Sequence, residues 1–312
     1  MRTLIVSPEP VDSTRGNSIT ADRWAGILRR LGHDVSVATD WTGTSGKNFD
    51  LLIALHARRS HSAIARFPGP VILGLTGTDL YEDLPANAEA RHSLSLATRI
   101  VVLQDSALQK LDESARAKTR VIYQSAIAIA RERPRDDCFE ICVLAHLREV
   151  KDPLRTALAS RQLPDSSKIR VTHAGRAMDA KWEEAARSEE RANPRYRWIG
   201  ELSHEAAAQL LARSRLLVLS SKVEGGANAV SEAVACGVPV LCSDIPGNIG
   251  MLAPDYPGFF PVGETGKLAA LLNRAETDPV FLDEMGQFIR KLQPRFTLER
   301  ETAGWEHLLS EL

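Results

Sequence analysis

Short runs of apolar residues alternate along the chain with longer stretches in which apolar positions recur every three or four residues. In the first half the runs fall at residues 4–6, 34–38, 51–55, 71–75 and 100–103, with a helical stretch at 20–31. Strand-sized runs alternating with amphipathic helices predict a mainly parallel, doubly wound sheet. The helix before the second strand stops at Leu31-Gly32-His33, where a glycine can take the left-handed conformation that ends a helix. Residues 130–137, reading ARERPRDD, are charged and interrupted by Pro134, too poor in apolar content to enter a core. Beyond them the alternation resumes, with strands expected at 140–145, 168–173, 196–199, 216–220 and 238–242 and a helix around 206–212. After Pro294, residues 298, 303, 305, 308 and 309 are apolar at helical spacings and predict a closing helix over 297–312. The fold expected is α/β, with two doubly wound domains spanning 1–130 and 138–296, and the closing helix packing back on the first.

Composition narrows the function without defining it. The 312 residues, 44% of them hydrophobic, suffice for two domain-sized cores. With 39 basic against 40 acidic residues, a formal charge of -1 gives no general electrostatic reason to expect nucleic acid or an anionic membrane as partner. The opening residues run straight into an apolar strand without a charged leader, and no apolar run approaches the roughly 18 residues a membrane span needs. A cytoplasmic location is the expectation. Cys138, Cys142, Cys236 and Cys242 lie outside zinc-ribbon spacing and read as small buried hydrophobes.

The most informative stretch is residues 221–241, SKVEGGANAVSEAVACGVPVL, set between two apolar strands. A strand end, the adjacent Gly225 and Gly226, and a helix starting near Ala227 aim backbone N–H groups of Ala227, Asn228, Ala229 and Val230 out of a sheet edge. Such a helix start favours a diphosphate. Its dipole contributes only about 0.3–1 kcal/mol at an exposed site, so full positive charges are expected nearby. The loop HLREVKDP after the strand 140–145 offers Arg148 and Lys151 at the corresponding edge. Glu232 follows Glu224 with seven residues between them and lies one turn beyond Asn228, on the same helix face. A carboxylate there suits two vicinal ribose hydroxyls, with Glu224 closer to the sugar; the plain alternative is that both are solvated surface charges. No Asp-x-Asp segment stands at a strand end, so no metal or other cofactor is expected.

This stretch resembles the GT-B glycosyltransferases, two Rossmann-like domains facing a central cleft, whose second domain carries Glu, seven residues, Glu and then an Ala-Cys-Gly-x-Pro-Val turn. The resemblance implies a UDP-sugar donor, ribose bound by Glu232, diphosphate bound by amides around 228–230, and a leaving group neutralised by Arg148 and Lys151. The loop here reads Glu-Gly-Gly-Ala-Asn, where many members have an aromatic residue or proline after the first glutamate.

In the first half, SPEPVDSTRGNSITADRW from Ser7, ALHARRS from Ala54 and LTGTDLY from Leu75 each follow or end a predicted strand. With VVLQ from Val101 and QSA from Gln124, they resemble the selenosugar synthases of selenoneine biosynthesis, the SenB group, over nearly the whole chain. That resemblance implies attack of selenophosphate on the anomeric carbon of a UDP-sugar such as UDP-GlcNAc, ending in a 1-seleno sugar, UDP and phosphate. An anionic acceptor needs cations and donors, and the loops offer Arg15, Gly16, Asn17, His56, Arg58, Arg59, Thr76, Thr78 and Asp79. Selenophosphate is ionised at neutral pH, so His56 and Asp79 read as positioning groups rather than bases; Asp79 could equally cap a helix. Three rival readings stay open: a transferase with a sugar, lipid or alcohol acceptor, a UDP-sugar epimerase, and a non-catalytic nucleotide-sugar sensor.

Overall fold

The computed structural model describes residues 1–9, 16–43 and 48–312. The chain forms two compact units: Met1–Gln124 with Glu224–Gly226 and Leu298–Leu312, and Ser125–Val223 with Ala227–Thr297. The division falls at Gln124, ahead of the charged stretch 130–137. That stretch belongs to the second unit, where the Glu132 N–H donates to the Ala212 carbonyl at 3.2 Å.

The first unit is built on a six-stranded parallel sheet of β1 (Arg2–Val6), β2 (Asp34–Ala38), β3 (Leu51–Leu55), β4 (Val71–Leu75), β5 (Arg99–Val102) and β6 (Thr119–Val121), in the order β2-β1-β3-β4-β5-β6. Every residue of β3 and β4 is buried, which is why both read as unbroken apolar runs. The closing helix Leu298–Ser310 completes this unit, its Trp305 and Leu308 fully buried. Trp305 meets Trp24 of the helix Gly16–Arg30 edge-on, with ring centroids 4.8 Å apart. Arg99 and Arg120, from β5 and β6, pair with Glu311 at 3.0 and 2.9 Å and hold the end of that helix.

The second unit repeats the architecture with β7 (Phe139–Leu144), β8 (Ile169–Ala174), β9 (Tyr196–Trp198), β10 (Leu216–Leu219), β11 (Val240–Ser243) and β12 (Phe259–Phe260), in the order β12-β11-β10-β7-β8-β9. All the pairings are parallel. Two six-stranded parallel sheets with flanking helices and a closing helix make this the expected pair of doubly wound domains. The strands β6 and β12, with three and two residues, are the ones that hydrophobic patterning passes over. Among the described residues, no helix is long and apolar enough to cross a membrane.

Candidate functional site

Strand order reverses between β1 and β3 in the first sheet and between β7 and β10 in the second. At such a reversal the loops leaving the carboxyl ends of two neighbouring strands turn to opposite faces and open a crevice. The sequence-derived residues concentrate there. Gly16 and Asn17 open the helix after β1, and His56, Arg58 and Arg59 follow β3, while Thr76, Thr78 and Asp79 follow the adjacent β4. Arg148 and Lys151 follow β7, and the segment running to Glu232 follows β10. Arg15 lies outside the described residues.

In the second unit, the two loops at the reversal are tied by side-chain and backbone hydrogen bonds to backbone carbonyls. Ser220 Oγ donates to the carbonyls of Lys151 and Asp152 at 3.2 and 2.9 Å, and the Lys222 N–H donates to the Val150 carbonyl at 2.8 Å. Lys222 also pairs with Glu149. Asp152 takes a left-handed conformation, φ 43°, and its carboxylate holds Arg155 at 2.7 Å. These ties fix the short turn Glu149–Lys151 and leave Arg148 exposed just before it. The helix Asn228–Cys236 begins after Ala227, whose methyl side chain makes no capping hydrogen bond. Glu232 lies one turn further on, about one-fifth exposed and 3.7 Å from His204 Nδ1.

A residue that sequence reading passed over holds this edge from behind. His173, on β8, is fully buried, and its Nε2 lies 2.9 Å from the Ala145 carbonyl while its Nδ1 lies 3.0 Å from Tyr196 Oη. A carbonyl only accepts, so Nε2 carries the hydrogen and Nδ1 accepts from the tyrosine. Burial pushes this imidazole down to about 4, so the ring is neutral in the folded protein. Ala145 opens the loop that carries Arg148, and that places His173 under that loop. A histidine at the position that continues the buried alternation of Ile169 and Val171 is the signal that could have found it.

In the first unit the carboxylate of Asp79 is fully buried and accepts four backbone N–H groups, from Ala57, Thr76, Gly77 and Leu80, at 3.1, 3.0, 2.8 and 3.0 Å. It joins the loop after β3 to the loop after β4. His56 sits in that joint with φ 74°, a conformation that costs a non-glycine residue energy and persists only where the surroundings impose it. The Arg59 N–H donates to its Nδ1 at 3.4 Å, so the neutral ring carries its hydrogen on Nε2, 3.3 Å from Thr78 Oγ1. Burial lowers the His56 pKa and keeps the ring neutral.

The cations expected here are already engaged. Arg58 Nε pairs with Asp83 Oδ1 at 3.0 Å, and Arg59 Nη1 pairs with Glu9 Oε1 at 2.8 Å. Glu9 and Asp83, both absent from the sequence-derived site, therefore offset the charge that was read as available to an anion. Asp83 Oδ2 is buried without a hydrogen-bond partner, 3.7 Å from His56 Nε2. Gln104 and Gln124, from the other motifs, serve the scaffold: Gln104 Nε2 donates to Tyr81 Oη and Gln124 Nε2 to Thr20 Oγ1, each at 2.8 Å.

Glu224, Gly225 and Gly226 belong with the first unit. A Cβ on Gly225 would stand 2.2 Å from the Thr76 carbonyl oxygen, and one on Gly226 would stand 2.6 Å from Leu103 Cβ. Both glycines are thus required for close approach of the chain to the β4 and β5 loops, a constraint separate from the diphosphate contact read for them from sequence. Among the described residues no three His, Cys, Asp or Glu side chains come together as a metal-binding group.

Residues 126–292 match the family model described as glycosyl transferases group 1, and the chain belongs to that family. HepE of Anabaena, in a crystal structure with UDP and glucose, superposes with a TM-score of 0.79 at 16% identity, with 100% of each chain covered. The sucrose-phosphate synthase of Thermosynechococcus elongatus gives 0.77 at 16% identity, covering 100% of this chain and 99% of its own. The lipopolysaccharide outer core galactosyltransferase WaaB gives 0.68 at 15% identity, with both chains covered in full. These likenesses define the fold as that of a two-domain, GT-B glycosyltransferase.

Proposed function

We propose that this glycosyltransferase takes a UDP-sugar on its second unit and transfers the sugar to selenophosphate. On the donor side, Glu232 receives the ribose hydroxyls and the amides around 228–230 receive the diphosphate. HepE, of the same fold, is described in complex with UDP and with UDP-glucose, which supports a uridine nucleotide here. Arg148 and Lys151, on the turn fixed by Ser220 and Lys222, neutralise the departing UDP as the bond from the anomeric carbon to the diphosphate oxygen breaks. The selenium lone pair forms the new bond to that carbon, the bonding electrons leave with UDP, and water then cleaves the P–Se bond to release phosphate. Glu224, at the head of the glycine pair, contacts the sugar.

The observation that carries the acceptor reading is the state of the two groups best placed to act as bases. Asp79 is occupied by four N–H donors, and neutral His56 already holds its Nε2 hydrogen toward Thr78. An acceptor that arrives ionised needs neither. The decisive experiment is mass analysis of the product from UDP-GlcNAc and selenophosphate: a 1-seleno-N-acetylglucosamine is expected, and UDP release without a selenium-bearing product would overturn the assignment. The reaction is proposed to be metal-independent, so excess EDTA leaves the rate unchanged; a loss restored by magnesium or manganese would refute this.

A second reading has an observation of its own. Arg58 and Arg59 are matched by Asp83 and Glu9, so the described part of the acceptor region is less cationic than a small anion would favour. A hydroxyl acceptor fits such a region better, with the unpartnered Asp83 Oδ2 as the proton acceptor. Turnover of UDP-sugar with a simple alcohol or sugar, and none with selenophosphate, would establish it.

A further inference from the structure

The second unit carries a strongly basic cavity that the transferase reading does not use. It has a volume of about 540 Å³, and its wall includes five arginines, Arg135, Arg170, Arg195, Arg197 and Arg213, against the carboxylates of Asp137 and Glu140 alone. Strand register explains the clustering. Glu140 of β7 is aligned with Arg170 of β8, and Thr172 of β8 with Arg197 of β9. Residues aligned across parallel strands share a face, and side chains two apart on one strand share it too, so Glu140, Arg170, Thr172 and Arg197 line one face. The intervening residues Val171 and Tyr196 are buried on the other side.

Like charges so close on a sheet face are destabilising unless something compensates them. The protein compensates two of the five. Arg213 pairs with Glu140 at 3.3 Å, and Arg135 grips Asp137 through two hydrogen bonds of 2.9 and 2.6 Å. Arg170, Arg195 and Arg197 have no carboxylate partner among the described residues; Arg170 and Arg195 reach only the carbonyls of Ile169 and Pro164. Glu140 is itself buried, held by Arg213 and by Thr172 Oγ1 at 3.1 Å, and so is not free to neutralise its neighbours.

We propose that this cavity binds a compact polyphosphate, inorganic or on a small molecule, at a place distinct from the donor edge. Several guanidinium forks converging on one volume match the bidentate geometry of phosphate oxygens. Tyr196 is the one aromatic residue of the lining and its ring is buried against His173, so no exposed ring of the lining offers a stacking platform for a nucleoside base. The cavity is lined from the segment before β7, from Glu140 of β7, from residues 170–172 of β8 and from residues 194–197 and 199 around β9. The turn with Arg148 leaves the carboxyl end of β7, and neither Arg148 nor Lys151 is among the residues that line the cavity.

Calorimetric titration of inorganic tripolyphosphate into the full chain tests this, with excess UDP present to occupy the donor edge. Saturable binding is expected, weakened at least tenfold in the pair Arg170→Ala and Arg197→Ala. Without ligand, the double variant should melt no lower than the wild type, because it relieves repulsion, and it should lose the rise in melting temperature that tripolyphosphate gives the wild type. A variant that melts lower is replaced by the exposed single change Arg197→Glu, for which the same weakening is expected. Absence of binding in the UDP-saturated protein, or equal affinity in the double variant, would overturn the proposal. Equal binding of sulfate at matched ionic strength, or of a short polyglutamate, would overturn its phosphate chemistry.

Discussion

Each unit holds a functional loop by one buried titratable side chain, and the two do it with opposite chemistry. In the first, the Asp79 carboxylate gathers four N–H groups from two loops. In the second, the neutral His173 ring uses one N–H to reach one carbonyl, that of Ala145. A carboxylate has lone pairs enough to organise several donors, and those donors offset the cost of burying its charge. An imidazole organises less but enters the core uncharged. The joint between the loops after β3 and β4 is therefore built around a charge and the loop after β7 around its absence.

The largest effect expected is from Asp79→Ala, which strands the four donors together. Urea unfolding should show a loss of about 4 kcal/mol, and a loss below about 1 kcal/mol would mean the loops hold themselves without the clamp. Acid should act on the second unit through His173. An imidazole near 6.5 in the unfolded chain and about 4 when folded takes up its proton only on unfolding, so stability is complete above pH 6.5 and declines as the pH falls toward 4. The decline attributable to His173 is about 3 kcal/mol in total, read as urea midpoints across that window. His173→Gln should flatten the profile; an unaltered slope would assign it to other groups.

Smaller effects sharpen the contrast at the donor edge itself. Glu232→Ala should weaken UDP binding by about 2 kcal/mol in calorimetry, and unchanged affinity in a folded variant would return Glu232 to a solvated surface role. Arg148→Ala should lower turnover at saturating donor by about tenfold, near 1.4 kcal/mol, with a smaller change in donor affinity. If affinity falls while turnover holds, Arg148 binds donor and transition state alike.

The double alternation of strands and helices was legible because strands such as β3 and β4 are buried along their whole length and leave an unbroken apolar signature. Residues 221–241 were legible for a related reason: strand end, glycines and helix start are contiguous, so local sequence carries the geometry. What escaped depends on partners distant in the chain. Arg59 looks like a free cation until Glu9, 50 positions away, is brought against it. Asp79 reads as an acceptor-positioning group or equally as a helix cap until the fold delivers Ala57 from 22 positions upstream. Gly225 and Gly226 read as a phosphate-binding pair because the Thr76 carbonyl and the Leu103 side chain, which also demand their lack of a side chain, lie in strand-end loops more than a hundred residues earlier.

The position of Trp305 sets an order of events during synthesis. The first unit cannot close its core over Trp24 until the ribosome has added the helix Leu298–Ser310, whereas nearly all of the second unit lies in 125–297 and has been made by then. A chain of this kind is expected to reverse the usual vectorial sequence, with its amino-terminal sheet waiting, incompletely covered, while the later one folds. Arrested nascent chains ending before Leu298 should then be attacked by protease in residues 1–124 and resist it beyond residue 138.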